Sequence, residues 1–194
     1  MSFSVYRKIA NLILLLVASN LSAQVTYYDA AEFQLLGKAT AATTERYVRL
    51  PDSLEHISRL PLWQLSRNSS GMAVRFRSNS TQVAVKWESL VNFHMDHMTD
   101  VAVKGLDLYC LEGKNWYFVN SARPIGKSTE SSLISGMEAK EREFMIYLPL
   151  YDGLVSLSIG IDAGASINQP AIESPVREKP VVFYGTSILQ GGCA

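Results

Sequence analysis

The chain has 194 residues, with 18 Lys or Arg and 18 Asp or Glu, so its formal net charge is zero. Nucleic-acid binding requires clustered basic residues, which this sequence lacks. The hydrophobic fraction of 47% excludes a disordered chain, and two cysteines exclude a small disulfide-stabilised scaffold. The length accommodates one domain and a fragment of another.

Residues 1–23 have the features of a secretory signal peptide. Arg7 and Lys8 precede a short apolar run over residues 9–17, and small residues follow up to Ala23. The run is shorter than the roughly 20 residues that cross a bilayer, so an uncleaved membrane anchor is the less favoured alternative. We expect cleavage near Ala23 and export to the periplasm or the extracellular space, with no stable membrane anchor.

Helical signals in the mature chain are weak. The segment 29–36 predicts a turn or two of helix. Asp52 and Ser53 precede apolar residues at helical spacing, which predicts a short helix that Pro61 ends.

From Ser66 onward, apolar residues alternate with polar ones, the pattern of strands with one face on a core. Three predicted hairpins join residues 72–77 to 83–87, 106–110 to 116–118, and 144–148 to 155–161. Short strands separated by Gly, Asn and Asp predict an all-β, antiparallel, jelly-roll-like β-sandwich over residues 24–176. Trp87 and Trp116 fall on inward positions, which favours the core over the alternative of a sugar-stacking surface shared with Trp63.

The last residues differ from the rest, after a predicted linker over residues 164–179. Residues 180–184 are continuously apolar, as in a buried strand of a parallel sheet covered by helices. Gly185 permits a tight turn that would present Ser187 at the edge of such a sheet. The Gly-x-Ser pattern alone is a weak signal, since serine often follows a turn glycine.

A family resemblance strengthens this interpretation. Residues 179–194, Lys-Pro-Val-Val-Phe-Tyr-Gly-Thr-Ser-Ile-Leu-Gln-Gly-Gly-Cys-Ala, resemble the first conserved block of SGNH (GDSL-type) hydrolases. They are most similar to the bacterial subgroup in which this block follows an N-terminal β-sandwich. Thr186 and Ile188 replace the aspartate and leucine of the usual Gly-Asp-Ser-Leu pattern. Other segments similar to that subgroup are residues 62–66, 75–80, 105–109 and 147–151.

The resemblance implies a serine esterase, with acylated (often acetylated) carbohydrates as the expected partners and no cofactor. Ser187 matches the nucleophile, and its backbone N–H matches one oxyanion donor. Residues 177–194 would be the incomplete start of an α/β, flavodoxin-like hydrolase domain. The family's other oxyanion donors and its closing Asp-x-x-His block are absent from the 194 residues. Since serine needs a base and a formed oxyanion hole, we expect no turnover from this chain by itself.

One polar loop has further site potential. Residues 92–100 include His94 and His97 together with two aspartates. Their spacing matches no zinc or calcium pattern, so we expect no metal. A solvated loop is the favoured interpretation. The functional alternatives are that His97 serves as a base, or that the loop borders the hydrolase cleft with His94 and His97 in contact with substrate. Cys110 and Cys193 are expected to be free thiols; a disulfide between them, which an exported location permits, is the alternative.

Three functional hypotheses remain open. The chain is the N-terminal portion of an exported esterase, as a truncated or split gene product; or it is a stand-alone glycan-binding sandwich; or it is a structural module for a separately encoded catalytic chain.

Overall fold

The computed structural model describes residues 24–173 and 181–193, and within these ranges ten strands form two antiparallel sheets. The strands are β1 Val25–Asp29, β2 Gln34–Leu36, β3 Ala73–Ser78, β4 Val83–Ser89, β5 Leu106–Glu112, β6 Asn115–Ala122, β7 Ser128–Ile134, β8 Arg142–Tyr147, β9 Leu154–Asp162 and β10 Ile167–Asn168. The predicted signal peptide, residues 1–23, and the predicted domain boundary at residue 176 lie outside the described residues.

The two sheets face each other as a β-sandwich, as predicted. The four-stranded sheet has the order β1-β9-β4-β7, and the other has the order β10-β3-β8-β5-β6, with β2 also paired to β3. Short helices connect or follow the strands. They are α1 Leu60–Ser66, α2 Asp100–Lys104, α3 Ser187–Gln190 and the 3₁₀ turns Ala30–Glu32 and Asp52–Leu54.

The core lies between the sheets and is formed by alternate residues of each strand. From one sheet come Val74, Phe76, Leu106, Leu108, Phe144 and Ile146; from the other come Val83, Val85, Trp87, Leu157, Ile159 and Ile161. Full burial of a large apolar side chain contributes about 1.5–3 kcal/mol, so this layer offsets much of the ordering entropy of the strands. The inward positions predicted from the period-two pattern are confirmed for these residues.

Two of the three predicted hairpins are wrong. Only β5 and β6 pair as a hairpin, around Gly113. The strands β3 and β4 lie in different sheets, and so do β8 and β9, so both connections cross from one sheet to the other. A strand alternates inward and outward whichever sheet it joins, so the pattern cannot distinguish a hairpin from such a crossing.

Side-chain carboxylates hold both crossings. Asp162 accepts hydrogen bonds from the corner between β3 and β4, at residues 80–82. Asp152, in the corner between β8 and β9, accepts from the backbone N–H groups of Val91 (3.0 Å), Phe93 (2.8 Å) and Gly153 (2.8 Å). Buried backbone donors that leave a sheet need such partners.

Local exceptions to the alternation have structural causes. Val155, the first apolar residue of the predicted strand 155–161, does not face inward as the alternation predicts. It is 52% exposed, because a bulge opposite Glu88 and Ser89 leaves Leu154 in the inward position. Trp116 was expected in the core, yet it is half-buried under the Arg75 guanidinium, 5.4 Å from the ring centroid.

The helical predictions were partly wrong. Residues 29–36, predicted as a turn or two of helix, contain a single 3₁₀ turn between two short strands. Pro61 does not end a helix: it lies in the first turn of α1, where its missing N–H has no helical partner to lose.

The contacts of the segment 105–109 explain its residue types. A Cβ atom at Gly105 would lie 2.4 Å from the Val101 carbonyl oxygen, so only glycine fits there. Asp107 accepts a hydrogen bond from the Ser121 hydroxyl at 2.5 Å. The Tyr109 ring, on the outer face of the sheet, makes an edge contact with Phe118. This segment therefore anchors α2, β5 and β6 to one another.

Among the described residues, no helix has the length and apolar character required to cross a membrane.

Candidate functional site

Within the predicted strand over residues 180–184, the described residues 181–184 do not form a strand. Residues 181–184 are exposed and belong to neither sheet of the described structure. A β-strand requires hydrogen bonds to a neighbouring strand, and no described segment pairs with these residues. These residues therefore lie outside both sheets of the sandwich.

The predicted turn around Ser187 is present. Thr186 precedes α3, and Gly191 ends it in the left-handed conformation (φ +98°) that favours glycine. Ser187 is exposed, and none of the described residues forms a hydrogen bond with its Oγ atom. We call residues 185–193 the Ser187 turn.

The Ser187 turn is attached to the sandwich through hydrogen bonds. The Tyr151 hydroxyl donates to the Ser187 carbonyl oxygen at 3.0 Å, and Gly192 N–H donates to the same oxygen at 2.7 Å. Gln190 Nε2 donates to the Leu150 carbonyl oxygen at 2.9 Å. Arg49 Nη2 donates to Gln190 Oε1 at 3.3 Å. Both ends of α3 are thus held by the corner between β8 and β9.

Two consecutive glycines allow this close approach. A Cβ atom at Gly191 would lie 2.8 Å from Leu150 Cδ1, and one at Gly192 would lie 2.9 Å from the Tyr151 hydroxyl oxygen. Cβ atoms essentially never come this close to other heavy atoms. The Gly-Gly pair after Ser187 therefore lets the backbone lie against the sandwich.

Tyr151 is itself fixed by its neighbours. Its backbone N–H donates to the Val103 carbonyl oxygen at 2.9 Å, and its ring packs with Met98 and Val103 in a small buried cluster. Burial raises the pKa of the Tyr151 phenol; the nearby Cys193 thiol raises it further, and the Arg49 guanidinium opposes the increase. The hydroxyl is therefore a protonated donor at neutral pH.

The predicted histidine loop lies beside the Ser187 turn. Cys193 N–H approaches Met98 Sδ at 3.4 Å, and Met98 pairs with Met95 in a β-bridge that encloses the exposed His97. The structure therefore places this loop and the Ser187 turn at the same end of the sandwich.

His94 is part of a network around the fully buried Lys104. Lys104 Nζ lies 2.6 Å from Asn92 Oδ1, 3.2 Å from His94 Nε2 and 3.3 Å from Asp100 Oδ2. His94 Nδ1 lies 2.9 Å from Asp100 Oδ1. An ammonium group only donates, so Nε2 accepts and Nδ1–H donates to the carboxylate. Both ring nitrogens are occupied, so in this arrangement His94 does not act as a base for Ser187.

Within residues 24–173 and 181–193, no three His, Cys, Asp or Glu side chains converge as metal ligands. The Lys104 ammonium occupies the point where His94 and Asp100 meet. Cys110 is buried and Cys193 exposed, and both are free thiols, as predicted.

Sequence reasoning missed several residues of this site. Tyr151 and Gln190 lie inside segments that carry the family resemblance, so a signal existed, but nothing in their spacing indicated a contact. Arg49 and Lys104 belong to no pattern. Trp63, Trp87 and Trp116 belong respectively to α1, to a strand of one sheet and to a strand of the other.

Comparison with known proteins gives a family match. The GxDLY family, described as the N-terminus of SGNH-hydrolase-type esterases, matches residues 25–167. A Bacteroides ovatus protein of known structure, described as GDSL-like lipase, is 39% identical with a TM-score of 0.80. The match covers 87% of this chain and 49% of that protein. The chain therefore spans about half the length of this relative.

Two further structures are more distant. A salicylyl-acyltransferase from a tetracycline biosynthetic pathway is 16% identical, with a TM-score of 0.49, over 79% of this chain and 41% of its own. An acetyl xylan esterase from the rumen bacterium Butyrivibrio proteoclasticus is 11% identical, with a TM-score of 0.42, over 80% of this chain and 35% of its own. No curated protein matches the sequence.

Proposed function

The chain belongs to the GxDLY family, the N-terminal domain of SGNH-hydrolase-type esterases, and on this premise we propose that Ser187 is the nucleophile of a serine esterase. The 194 residues contribute the β-sandwich and the first catalytic block. The observation that carries the proposal is the Ser187 turn: it is held on the sandwich by its backbone, while the Ser187 side chain is exposed.

The chemistry is acyl transfer to Ser187 Oγ followed by hydrolysis of the acyl-enzyme by water. A serine hydroxyl is a weak nucleophile until a hydrogen-bonded base takes its proton. His94 is occupied by Lys104 and Asp100, and the sequence contains no Asp-x-x-His motif. We therefore assign the base and the remaining oxyanion donors to a catalytic body outside these 194 residues, and the Ser187 N–H to one oxyanion donor.

The substrate proposed from the family resemblance is an acyl ester, foremost an acetyl ester, of a carbohydrate. His94 and His97 lie on the loop that adjoins the Ser187 turn through Met98, which supports a role of this loop in contacting substrate. The signal-like residues 1–23 support export to the periplasm or the extracellular space.

One observation favours a second candidate, a glycan-binding sandwich. The outer face of the larger sheet carries the aromatic rings of Tyr109, Phe118 and Tyr147, and Phe118 is 57% exposed. Exposed aromatic rings can stack on sugar rings. Retention of the 194-residue chain on a polysaccharide affinity gel, lost on Phe118→Ala, would support this candidate.

The esterase proposal is tested by hydrolysis of p-nitrophenyl acetate. The 194 residues, continued in frame by the downstream coding sequence, should hydrolyse the ester, and Ser187→Ala should reduce kcat to background. Ser156 is an exposed serine on β9 of the four-stranded sheet, so Ser156→Ala is the matched control and should retain full activity. The 194-residue chain alone should give only background hydrolysis. Turnover that survives Ser187→Ala would refute the assignment of the nucleophile.

A further inference from the structure

The helix of the Ser187 turn is too short to be stable by itself. The helix α3 has four residues, and helices of this length are unstable in water without external contacts. In this protein the external contacts come from the sandwich, through Tyr151, Leu150 and Arg49.

We propose that Tyr151 and Arg49 are positioning residues for the nucleophile: they hold the backbone of the Ser187 turn so that Oγ stays at one place relative to its base. The inference rests on the proposed function, since it assumes that Ser187 is the nucleophile. It assigns to the sandwich a direct part in the reactivity of the catalytic domain.

The Tyr151 hydroxyl contacts the proposed nucleophilic residue itself. Its hydroxyl and Gly192 N–H both donate to the Ser187 carbonyl oxygen, and a carbonyl oxygen has two lone pairs. Only the rotation about the Cα–Cβ bond then separates the fixed backbone from Oγ. A displacement of about 1 Å in a reacting group can lower a rate by about 10²-fold.

The Tyr151 side of this contact is rigid. The corner before β9 is held by the backbone bond of Tyr151 to Val103 and by the three N–H groups that donate to Asp152. The Tyr151 ring is 7% exposed and packs on Met98. Movement of the hydroxyl would require repacking of this cluster, so its position is set by the sandwich.

Arg49 holds the other end of α3 in the same way. Its guanidinium donates to the carbonyl oxygens of Asn68 (3.0 Å, from Nε) and Leu65, at the C-terminal end of α1. These bonds orient the group before it reaches Gln190, whose Nε2 is bound to Leu150. Gln190 is therefore held between two fixed sandwich groups.

The experiment compares Tyr151→Phe with Tyr117→Phe in the extended, active protein. Tyr151→Phe removes one hydroxyl and keeps the buried ring, whereas Tyr117 is an exposed tyrosine on β6. Rates are measured per active site, by titration with an organophosphate ester, well below the unfolding temperature. Tyr151→Phe should lower kcat and the rate of organophosphate inactivation roughly tenfold, the equivalent of one hydrogen bond, with KM unchanged.

A second pair tests the Gln190 contact without touching the core. Gln190→Met keeps the length of the side chain but removes both the donor to Leu150 and the acceptor of Arg49, so it should also lower kcat with KM unchanged. Gln64→Met makes the same change on the exposed face of α1 and should have no effect. This pair carries the test if Tyr151→Phe does not fold.

The outcomes separate the two proposals. If Ser187→Ala abolishes turnover but both Tyr151→Phe and Gln190→Met match their controls per active site, the positioning role is refuted and the assignment of the nucleophile stands. If Ser187→Ala leaves turnover intact, the proposed function itself is wrong. A lower melting temperature with unchanged kcat per active site identifies a purely structural contact and also overturns the inference.

Discussion

Asp162 is the residue whose replacement most directly tests the sheet-to-sheet corner between β3 and β4. Its Oδ2 accepts from Ser80 Oγ (3.0 Å), Thr81 N (2.7 Å) and Thr81 Oγ1 (2.7 Å), and its Oδ1 accepts from Gln82 Nε2 (2.6 Å). Asp162→Asn keeps the size of the side chain and removes its charge. The corner then loses the anion on which its four donors converge.

The magnitude follows from these four bonds. A hydrogen bond to a charged group contributes about 1.5–3 kcal/mol and a neutral one about 0.5–1.5 kcal/mol. The amide oxygen retains three neutral bonds, whereas the amide nitrogen faces Gln82 Nε2, another donor. Asp162 is half-buried, so solvent screens part of the charge. We expect the free energy of unfolding to fall by about 2–3 kcal/mol.

The effect depends on pH in a defined direction. Burial by itself raises the pKa of Asp162, but the hydrogen bonds from Thr81, Gln82 and Ser80 outweigh it, so the net pKa lies below its ordinary value. A carboxyl group with a lowered folded-state pKa stabilises the fold above its unfolded pKa, and this stabilisation is lost as the pH falls through the folded pKa. The difference between parent and Asp162→Asn should therefore be constant at neutral pH and shrink below about pH 4.

The assay is urea unfolding of the 194-residue chain, followed by tryptophan fluorescence, between pH 7 and pH 3. Asp107→Asn is the matched control, because among the described residues Asp107 accepts one side-chain hydrogen bond, from Ser121, and its replacement should change stability by about 1 kcal/mol. Equal losses for Asp162→Asn and Asp107→Asn at pH 7, or a loss that grows as the pH falls, would contradict the reasoning.

Three further predictions concern buried groups. Lys104→Met should lower the free energy of unfolding by about 1–3 kcal/mol, because three side chains lose a shared donor; Lys86→Met, at an exposed ion pair, should change it by at most about 1 kcal/mol in the same melt. Gly105→Ala should destabilise by roughly 1–3 kcal/mol in thermal unfolding, since its Cβ would overlap backbone carbonyl oxygens; an unchanged melting temperature would contradict this. A disulfide reagent should modify Cys193 rapidly and Cys110 only on unfolding, because burial raises the pKa of the Cys110 thiol; equal rates would count against this.

Much of the sandwich was predictable from the sequence. The alternation at Val83, Val85 and Trp87 identified the inward face of β4, and the same holds for Leu106 and Leu108 in β5. This works because side chains of a strand point alternately to its two faces, so burial is recorded in the local order of residues.

Other features of the fold were not predictable in this way. Whether β3 continues into a hairpin or crosses to the second sheet depends on which strands are paired. The crossing is stabilised by Asp162, which lies 80 residues beyond Gln82 in the chain. The exposure of Val155 results from a bulge that depends on its partner strand β4. Long-range pairing leaves no trace in a local pattern.

The candidate site, like the fold, was only partly predictable from the sequence. The amino-acid sequence alone determined the turn chemistry around Ser187, its glycines and the family to which it points, because these depend on residue types at adjacent positions. Only the tertiary structure decided that Tyr151 and Arg49 hold that turn, and that the Lys104 ammonium group binds the His94 ring. These contacts join residues that are 10 to 141 positions apart, and their energy depends on the distances that folding creates.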